Sequence, residues 1–173
     1  MVRILEGNEA GAGRRIAVVV ADFNRDVTDA LLQGCLDTLR AAGVREDDLL
    51  VVRVPGAFEL PGACDRLAAA GGWHAVVALG AVIRGGTPHF DFVAGETARG
   101  LGRVALDRGV PVVFGVLTTD TLAQARHRAA HAGSAGADAI GPSSDSKTTP
   151  RSNKGVDAAK TALRMAAVYE AIG

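Results

Sequence analysis

The sequence predicts an α/β fold in which helices cover both faces of a four-stranded parallel sheet. Two observations carry this prediction. Short apolar runs without polar alternation, typical of strands buried on both faces, recur at 16–21, 49–54, 75–79 and 112–117. Longer segments with helical spacing of their apolar residues separate these runs, as in successive βαβ units. We therefore expect a three-layer αβα sandwich with right-handed crossover connections.

The first two predicted helices follow the first two strands. In residues 26–42 the apolar side chains recur at intervals of three and four, and Gly43 provides a stop signal. Residues 57–70 form the second predicted helix, which Gly71 and Gly72 close. These two segments are each long enough to return the chain to the start of a parallel strand.

The third predicted helix follows a turn that is rich in glycine. Apolar residues recur with helical spacing from Phe90 to about Asp107, and Gly109 ends the segment. Thr87 is expected to cap this helix and Pro88 to occupy its first turn, where no N–H group is needed.

The remainder of the chain supplies two more helices and two irregular segments. Helices are predicted from 121 to about 130 and over 155–172. Residues 132–152 have no periodicity, so we expect a flexible inserted loop within one domain that spans 1–173. The short apolar segment 2–5 is cut off by a glycine-rich stretch, and such an isolated strand is expected to pair with a neighbouring subunit.

Composition argues against several classes of function. The 19 basic and 19 acidic residues give a formal net charge of zero, which disfavours non-specific binding to nucleic acid or to an anionic membrane. No apolar run reaches membrane-spanning length, and the N-terminal residues lack the apolar region of a signal peptide. Cys35 and Cys64 fall in predicted helices and in no metal or redox motif, so we expect small core residues in a cytoplasmic protein.

The candidate site lies where the predicted strands end. Open parallel sheets bind ligands beyond the carboxyl ends of their strands. In this chain those ends carry four unusual loops, at 22–24, 55–59, 80–92 and 115–120. We expect all four loops to converge on one rim and to form one site.

The loop after the third strand has the composition of an anion site. Gly85 and Gly86 are expected to adopt backbone conformations that other residues avoid, and the free N–H groups of the following helix favour bound anions. His89 lies at the start of that helix, where an imidazole can transfer protons beside a bound phosphate. Without further information, a merely polar role for His89 at the helix start is equally compatible with the sequence.

A set of six segments is far more specific together than any one of them alone. They are FN at 23–24, VPGAFELP at 54–61, GAVIRGGTPHFDFV at 80–93, FGVLTTD at 114–120, Gln124 with Arg128 and Ala129, and NKG at 153–155. In these motifs and in their order, over about residues 15–130 and 153–170, the chain resembles the lumazine synthase family.

The resemblance implies a flavodoxin-like fold and a transferase of riboflavin biosynthesis that needs neither a metal nor an organic cofactor. Its two small-molecule substrates would be 5-amino-6-(D-ribitylamino)uracil and 3,4-dihydroxy-2-butanone 4-phosphate. Their condensation would give 6,7-dimethyl-8-ribityllumazine, phosphate and water. The resemblance also implies a homo-oligomer built on pentamers, with active sites between subunits, and riboflavin synthase as a candidate partner protein.

Roles for individual residues follow from the same resemblance. His89 would be the catalytic residue, and the butanone phosphate would be bound by Gly86, Thr87 and Arg128. The residues implied to bind the aminouracil are Phe23, Ala57, Phe58, Glu59, Ala81, Val82, Ile83, Phe114 and Lys154. Of these thirteen residues, an adjacent subunit would contribute three, namely Phe114, Arg128 and Lys154.

Plainer interpretations of the same residues stay open from sequence alone. Glu59 is as suited to capping a helix as to binding a ligand, and Arg84 is expected to form a structural ion pair. His127 and His131 have the i, i+4 spacing of metal ligands, but with no third ligand evident a solvated helix face is favoured. A non-catalytic flavin- or lumazine-binding protein on the same fold is the alternative function.

The chain departs from the resembled family between two of the site residues. Arg128 and Lys154 are separated by 26 positions, where the family has a short turn, so the position of Lys154 is open. A bulky insert at this point should oppose the closure of a sixty-subunit shell. We therefore expect a pentamer or a decamer.

Overall fold

The computed structural model describes residues 1–130 and 153–173 and contains the predicted alternation of strands and helices. Two short 3₁₀ turns lie at Glu46–Asp48 and Ala57–Glu59. The predicted loop at 132–152 lies outside the described residues. In chain order the elements are β1 (Ile16–Ala21), α1 (Arg25–Ala41), β2 (Leu49–Val54), α2 (Leu60–Ala70), β3 (Ala75–Ile83), α3 (His89–Arg108), β4 (Val112–Thr119), α4 (Leu122–Ala129) and α5 (Lys154–Ile172).

The four strands form one parallel sheet in the order β2-β1-β3-β4. In the register of this sheet Ile16 lies opposite Leu49 on one side and Ala75 on the other. Such a strand order, with helices on both faces, is that of the flavodoxin-like doubly wound folds. The predicted fold class is therefore confirmed.

The sheet separates two apolar cores, and successive residues of β1 alternate between them. On one face Ile16 and Val18 pack with α1, α4 and α5. On the other face Ala17 and Val19 pack with α2 and α3. All four of these side chains are completely buried, and small aliphatic residues rather than aromatic ones fill both cores. Because the central strands β1 and β3 are covered on both sides, they carry no polar alternation.

Several predicted element boundaries were wrong. Strands β3 and β4 continue to Ile83 and Thr119, since their backbone pairing extends to those two residues. Helix α3 begins at His89 with Pro88 in the N-cap position, and no side chain caps it, so Thr87 is not the predicted cap. Residues 57–59 form a 3₁₀ turn instead of the first turn of α2.

The N-terminal segment lies along the outside of the molecule and forms no strand within the chain. Arg14 anchors its end, because the guanidinium donates to the Leu163 carbonyl and forms an ion pair with Glu170, both on α5. Met1 and Val2 are largely exposed. The pairing of residues 2–5 with a neighbouring subunit stays a prediction.

Candidate active site

A cavity of about 650 Å³ opens at the carboxyl ends of the strands and the start of α3. Nine of the thirteen residues predicted for the site line it together, which are Phe23, Ala57, Phe58, Glu59, Ala81, Val82, Ile83, Thr87 and His89. The sequence had not assigned Phe90, Phe92 or Val93 to the site, although they also line the cavity. Their positions in the first turns of α3, next to His89, were the available signal.

The turn after β1 projects the Phe23 ring into solvent beside the cavity. The backbone N–H groups of Asp22 and Phe23 donate to the carbonyls of Val54 and Pro55, which ties this turn to the end of β2. Asn24 has a left-handed backbone (φ 60°), and its side-chain amide donates to the Ala81 carbonyl at 2.9 Å. Asparagine tolerates this conformation better than most residues do. Phe23 is therefore 71% exposed on a turn that is fixed from two sides.

The turn after β2 forms a further part of the cavity wall. The buried Thr97 hydroxyl of α3 lies 2.7 Å from the Val93 carbonyl and 3.1 Å from the Ala57 carbonyl, so its single proton is shared between α3 itself and the 3₁₀ turn. Glu59 occupies the N-cap position of α2, but its side chain accepts no capping hydrogen bond. The capping interpretation of Glu59 was therefore wrong. A Cβ atom at Gly56 would lie 3.1 Å from Glu59 Oε2, so the carboxylate lies close to the backbone of this turn.

The loop between β3 and α3 is exposed and is bounded by an ion-pair network. Arg84 Nε donates to Asp120 at 3.0 Å, and another guanidinium nitrogen lies 3.2 Å from Asp91. Hydrogen bonds from the guanidinium to Asp91 and Asp120 raise the pKa of Arg84. The predicted ion pair of Arg84 is confirmed.

The two glycines of this loop do not adopt the special backbone conformations that glycine permits. Neither Gly85 nor Gly86 has a positive φ, and a Cβ atom at either position would meet nothing within 4 Å. Their lack of side chains leaves the backbone beside His89 open. Gly85 lines the cavity, whereas Gly86 is exposed next to the lining residue Thr87.

The fourth predicted loop does not reach this cavity. Residues 115–120 are absent from its lining, and the Asp120 carboxylate binds Arg84 instead. The prediction that four loops converge on one site was wrong for a single chain. The reason is that β4 is the edge strand of the sheet, one position beyond β3.

A second cavity, of about 670 Å³, lies along β4 and α5. It is lined by Phe114, Arg128 and Lys154, the three residues that the resemblance assigned to a neighbouring subunit. Phe114 is 45% exposed, and Lys154 Nζ lies 2.7 Å from Asp157 Oδ2. Within one chain, the predicted residues therefore form two separate groups.

Asn153 explains how Arg128 and Lys154 share a cavity although 26 positions separate them. Its side chain is buried, and the amide nitrogen donates to the carbonyls of Ala30 (2.9 Å) and Ala129 (2.6 Å). Its amide oxygen accepts from Gly155 N at 2.8 Å and caps α5. One side chain thus joins α1, α4 and α5. Sequence reasoning missed this role, and the strong N-cap preference of asparagine was the signal for it.

The other reactive side chains that the structure describes do not form a second centre. Burial raises the pKa of the Cys35 and Cys64 thiols to about 12, so they are inert core residues, as predicted. Residues 1–130 and 153–173 contain no group of three or more acidic, histidine or cysteine side chains that could hold a metal ion. His131, the suggested partner of His127, lies outside the described residues.

The fold and the first cavity define a class of protein. A doubly wound α/β sheet with an aromatic, a carboxylate and an imidazole side chain around a cavity at its strand ends is typical of a protein that acts on small molecules. The family model for 6,7-dimethyl-8-ribityllumazine synthase matches residues 13–170 of this 173-residue chain. The chain therefore belongs to the lumazine synthase family.

Family membership connects the chain with riboflavin biosynthesis and with a transferase activity of this kind. It also implies small-molecule substrates and an oligomeric assembly. Among the helices that the structure describes, none is long and apolar enough to cross a membrane.

Proposed function

We propose that this protein condenses 5-amino-6-(D-ribitylamino)uracil with 3,4-dihydroxy-2-butanone 4-phosphate to give 6,7-dimethyl-8-ribityllumazine, phosphate and water. The observation that carries the proposal is that Phe23, Glu59 and His89, from three separate segments of the chain, line one cavity. Family membership over nearly the whole chain supports the same reaction. We further propose that the reaction takes place in the cytoplasm and that riboflavin synthase uses the product.

The aminouracil is an aromatic ring with a polyhydroxylated side chain, and the first cavity offers complementary groups. The exposed Phe23 ring provides a flat face for stacking. Backbone groups of 81–83 at the end of β3 can pair with the polar edge of the pyrimidine. Glu59, which Ala57 and Phe58 precede in the same turn, can accept hydrogen bonds from the ribityl hydroxyls.

The phosphorylated ketone is anionic and requires N–H donors and positive charge. The exposed loop that carries Gly86 and Thr87 precedes α3, a helix of 20 residues, so bound phosphate would lie at the positive end of its dipole. Arg128 from a neighbouring subunit would add a forked, permanently charged contact. Because negative charge on the phosphate grows as it leaves, these groups would stabilise the transition state more than the substrate.

Two titratable side chains, Glu59 and His89, are among the residues that line the first cavity. Of these two, His89 directly follows the loop that carries Gly86 and Thr87, the proposed anion loop. Its imidazole would protonate the hydroxyl that leaves as water when the amine and ketone form an imine. It would then accept a proton from the carbon next to the imine as phosphate is eliminated. Orientation of the two bound reactants would supply much of the remaining rate enhancement.

The two groups of residues on one chain support an active site shared between subunits. Phe114, Arg128 and Lys154 lie in the second cavity, away from His89. In a ring of subunits related by rotation, the second cavity of each chain can face the first cavity of the next. We propose a pentamer or a decamer, and electron microscopy that shows sixty-subunit particles would refute this assembly.

The reaction is tested by mixing the purified protein with both substrates and following the absorbance of the lumazine chromophore. Loss of one general acid–base group should slow the His89→Ala variant by about 100-fold. His127→Ala is the matched control, because this exposed histidine lies in neither cavity and should leave the rate unchanged. Absence of acceleration over the uncatalysed reaction, with tight binding of flavin or lumazine, would indicate the carrier function instead.

The shared site is tested separately by subunit complementation. His89→Ala and Arg128→Ala variants should each be nearly inactive, because every site would lack one of its two groups. After both variants are unfolded together and reassembled, random mixing in a ring should restore about one quarter of the sites. Reassembled mixtures with no more activity than the separate variants would exclude a site built from two subunits.

A further inference from the structure

Arg84 connects the two ends of the loop that carries the proposed anion site. The guanidinium binds Asp120, immediately after β4, and Asp91, in the first turn of α3. The backbone N–H of Arg84 also donates to the Thr119 carbonyl at 2.8 Å. One side chain therefore joins the end of β4 to the start of α3, across the loop that leads to His89.

An aromatic ring completes the surroundings of the guanidinium. The Arg84 Cζ atom lies 4.1 Å from the centroid of the Phe90 ring, within the range of a cation–π interaction. Phe90 is half-buried, packs against the core beneath α2 and α3, and lines the first cavity. The planar guanidinium is thus held by two carboxylates and one ring, an arrangement that lysine cannot reproduce.

The loop itself contains little that would fix its conformation. Gly85 and Gly86 are exposed, and a Cβ atom at either position would touch nothing within 4 Å. Because the loop residues lack packing of their own, the contacts at the loop ends must determine where its N–H groups and the following imidazole lie. Arg84 supplies contacts at both ends.

The charges around Arg84 favour a structural role over direct phosphate binding. Two carboxylates already surround the single positive charge, and their hydrogen bonds raise the pKa of Arg84. Asp91 lies at the N-terminus of α3, where its negative charge would repel a bound phosphate. The Arg84 contact offsets this repulsion while it holds the helix start in place.

We propose that Arg84 is a positioning residue that fixes the anion loop and His89 relative to the phosphate-bearing substrate. This inference rests on the proposed function, since it specifies how one part of the same site is kept in order. It predicts a selective defect. Binding and turnover of the phosphorylated ketone depend on Arg84, whereas binding of the aminouracil in the remainder of the cavity does not.

The test compares Arg84→Met, Arg84→Lys and a matched control, Arg108→Gln. Arg108 lies at the other end of α3, where two guanidinium nitrogens bind Asp65 at 2.7 and 3.1 Å, and its exposure is close to that of Arg84. Loop misplacement should raise KM for the butanone phosphate about ten-fold and lower kcat about ten-fold in both Arg84 variants. KM for the aminouracil should change less than about two-fold, and Arg108→Gln should match the wild type in all three constants.

Two kinetic outcomes would overturn the proposal. Wild-type constants in Arg84→Lys would show that positive charge alone is sufficient. The second outcome is that both KM values rise together in the Arg84 variants, in proportion to the loss of Tm, and that Arg108→Gln shows the same change. This result would indicate a general loss of stability without a positioning role.

A binding measurement separates this inference from the proposed reaction. Calorimetric titration of inorganic phosphate into the folded, assembled protein requires no turnover. If the wild type binds phosphate but makes no lumazine, the proposed reaction is refuted. In that case a phosphate affinity about ten-fold weaker in Arg84→Met than in the wild type still supports the positioning role. Equal phosphate affinity in the two proteins, or none in the wild type, would overturn it.

Discussion

Substitution of Gly155 by alanine tests the contact on which the second cavity depends. Gly155 lies in the first turn of α5, and a Cβ atom there would lie 1.9 Å from the backbone oxygen of Leu31 in α1. Because the obstacle is backbone, no change of side-chain rotamer relieves it, and the two helices must separate. We expect the free energy of unfolding to fall by about 3 kcal/mol, the upper part of the usual range for overpacking.

Gly62→Ala provides a control of opposite sign. Gly62 lies inside α2, and a Cβ atom at this position would meet nothing within 4 Å. Alanine reduces the freedom of the unfolded chain without new contacts in the folded state, so we expect a gain of about 0.5–1 kcal/mol. The two glycine substitutions are chemically identical, and only their surroundings differ.

Urea unfolding followed by far-UV circular dichroism measures both effects. All variants should be compared at one protein concentration, because the stability of an oligomer depends on concentration. The midpoints should move in opposite directions with unchanged m values. An unfolding free energy of Gly155→Ala within about 0.5 kcal/mol of the wild type would refute the close packing of α1 against α5.

Three further predictions concern local contacts. Asn24→Ala should lower the free energy of unfolding by about 2 kcal/mol, because alanine is strained in the left-handed backbone and the hydrogen bond to Ala81 is lost. Asn24→Gly should lower it by only about 1 kcal/mol, because glycine accepts that backbone. Equal losses in the two variants would contradict this explanation. Cys35 and Cys64, whose thiol pKa values burial raises to about 12, should not react with Ellman's reagent at about pH 8 until the protein unfolds. The unfolded thiols ionise near their ordinary pKa of about 8.5, so stability should fall as pH rises above that value, and rapid labelling of the native protein would disprove the burial. The hydrogen bond from Arg108 lowers the pKa of Asp65, so this pair stabilises the fold above the ordinary carboxyl pKa of about 3.9 and loses that effect as pH falls through the lowered value. Arg108→Gln should therefore lose less stability than the wild type on acidification, and identical acid unfolding curves would contradict the assignment.

Local sequence patterns were sufficient to predict the bounds of a strand where the tertiary structure does not extend it beyond its apolar run. The bounds of β1 and β2 were predicted to the residue, because each apolar run is limited by polar residues or glycine and proline. The ends of β3 and β4 were not, since the pairing of Ile83 with Thr119 depends on a neighbouring strand that no local pattern reveals. Tertiary pairing therefore decided what hydrophobic periodicity left open.

For the candidate site too, sequence rules predicted some features, and others depended on tertiary contacts. The rule that ligands bind at strand ends correctly brought Phe23, Glu59 and His89 to one cavity. It did not predict that Asp120 would form an ion pair with Arg84 and not line the cavity. The two residues are 36 positions apart, and an ion pair between distant residues produces no pattern in the sequence. Twelve of the thirteen residues divide between the two cavities, and Gly86 lines neither. Local patterns did not predict this division, whereas the resemblance did so by assigning Phe114, Arg128 and Lys154 to an adjacent subunit.

The long connection between α4 and α5 does not prevent Arg128 and Lys154 from lining one cavity, because the residues that hold α4 and α5 together lie outside the connection. The Asn153 amide binds the Ala129 carbonyl, so the two ends of the 22-residue connection, 131–152, meet directly. Each buried hydrogen bond of Asn153 contributes about 1 kcal/mol to holding α1, α4 and α5 together at this point. Asn153 and the close packing of Gly155 against Leu31 therefore both help to set the positions of Arg128 and Lys154 relative to each other.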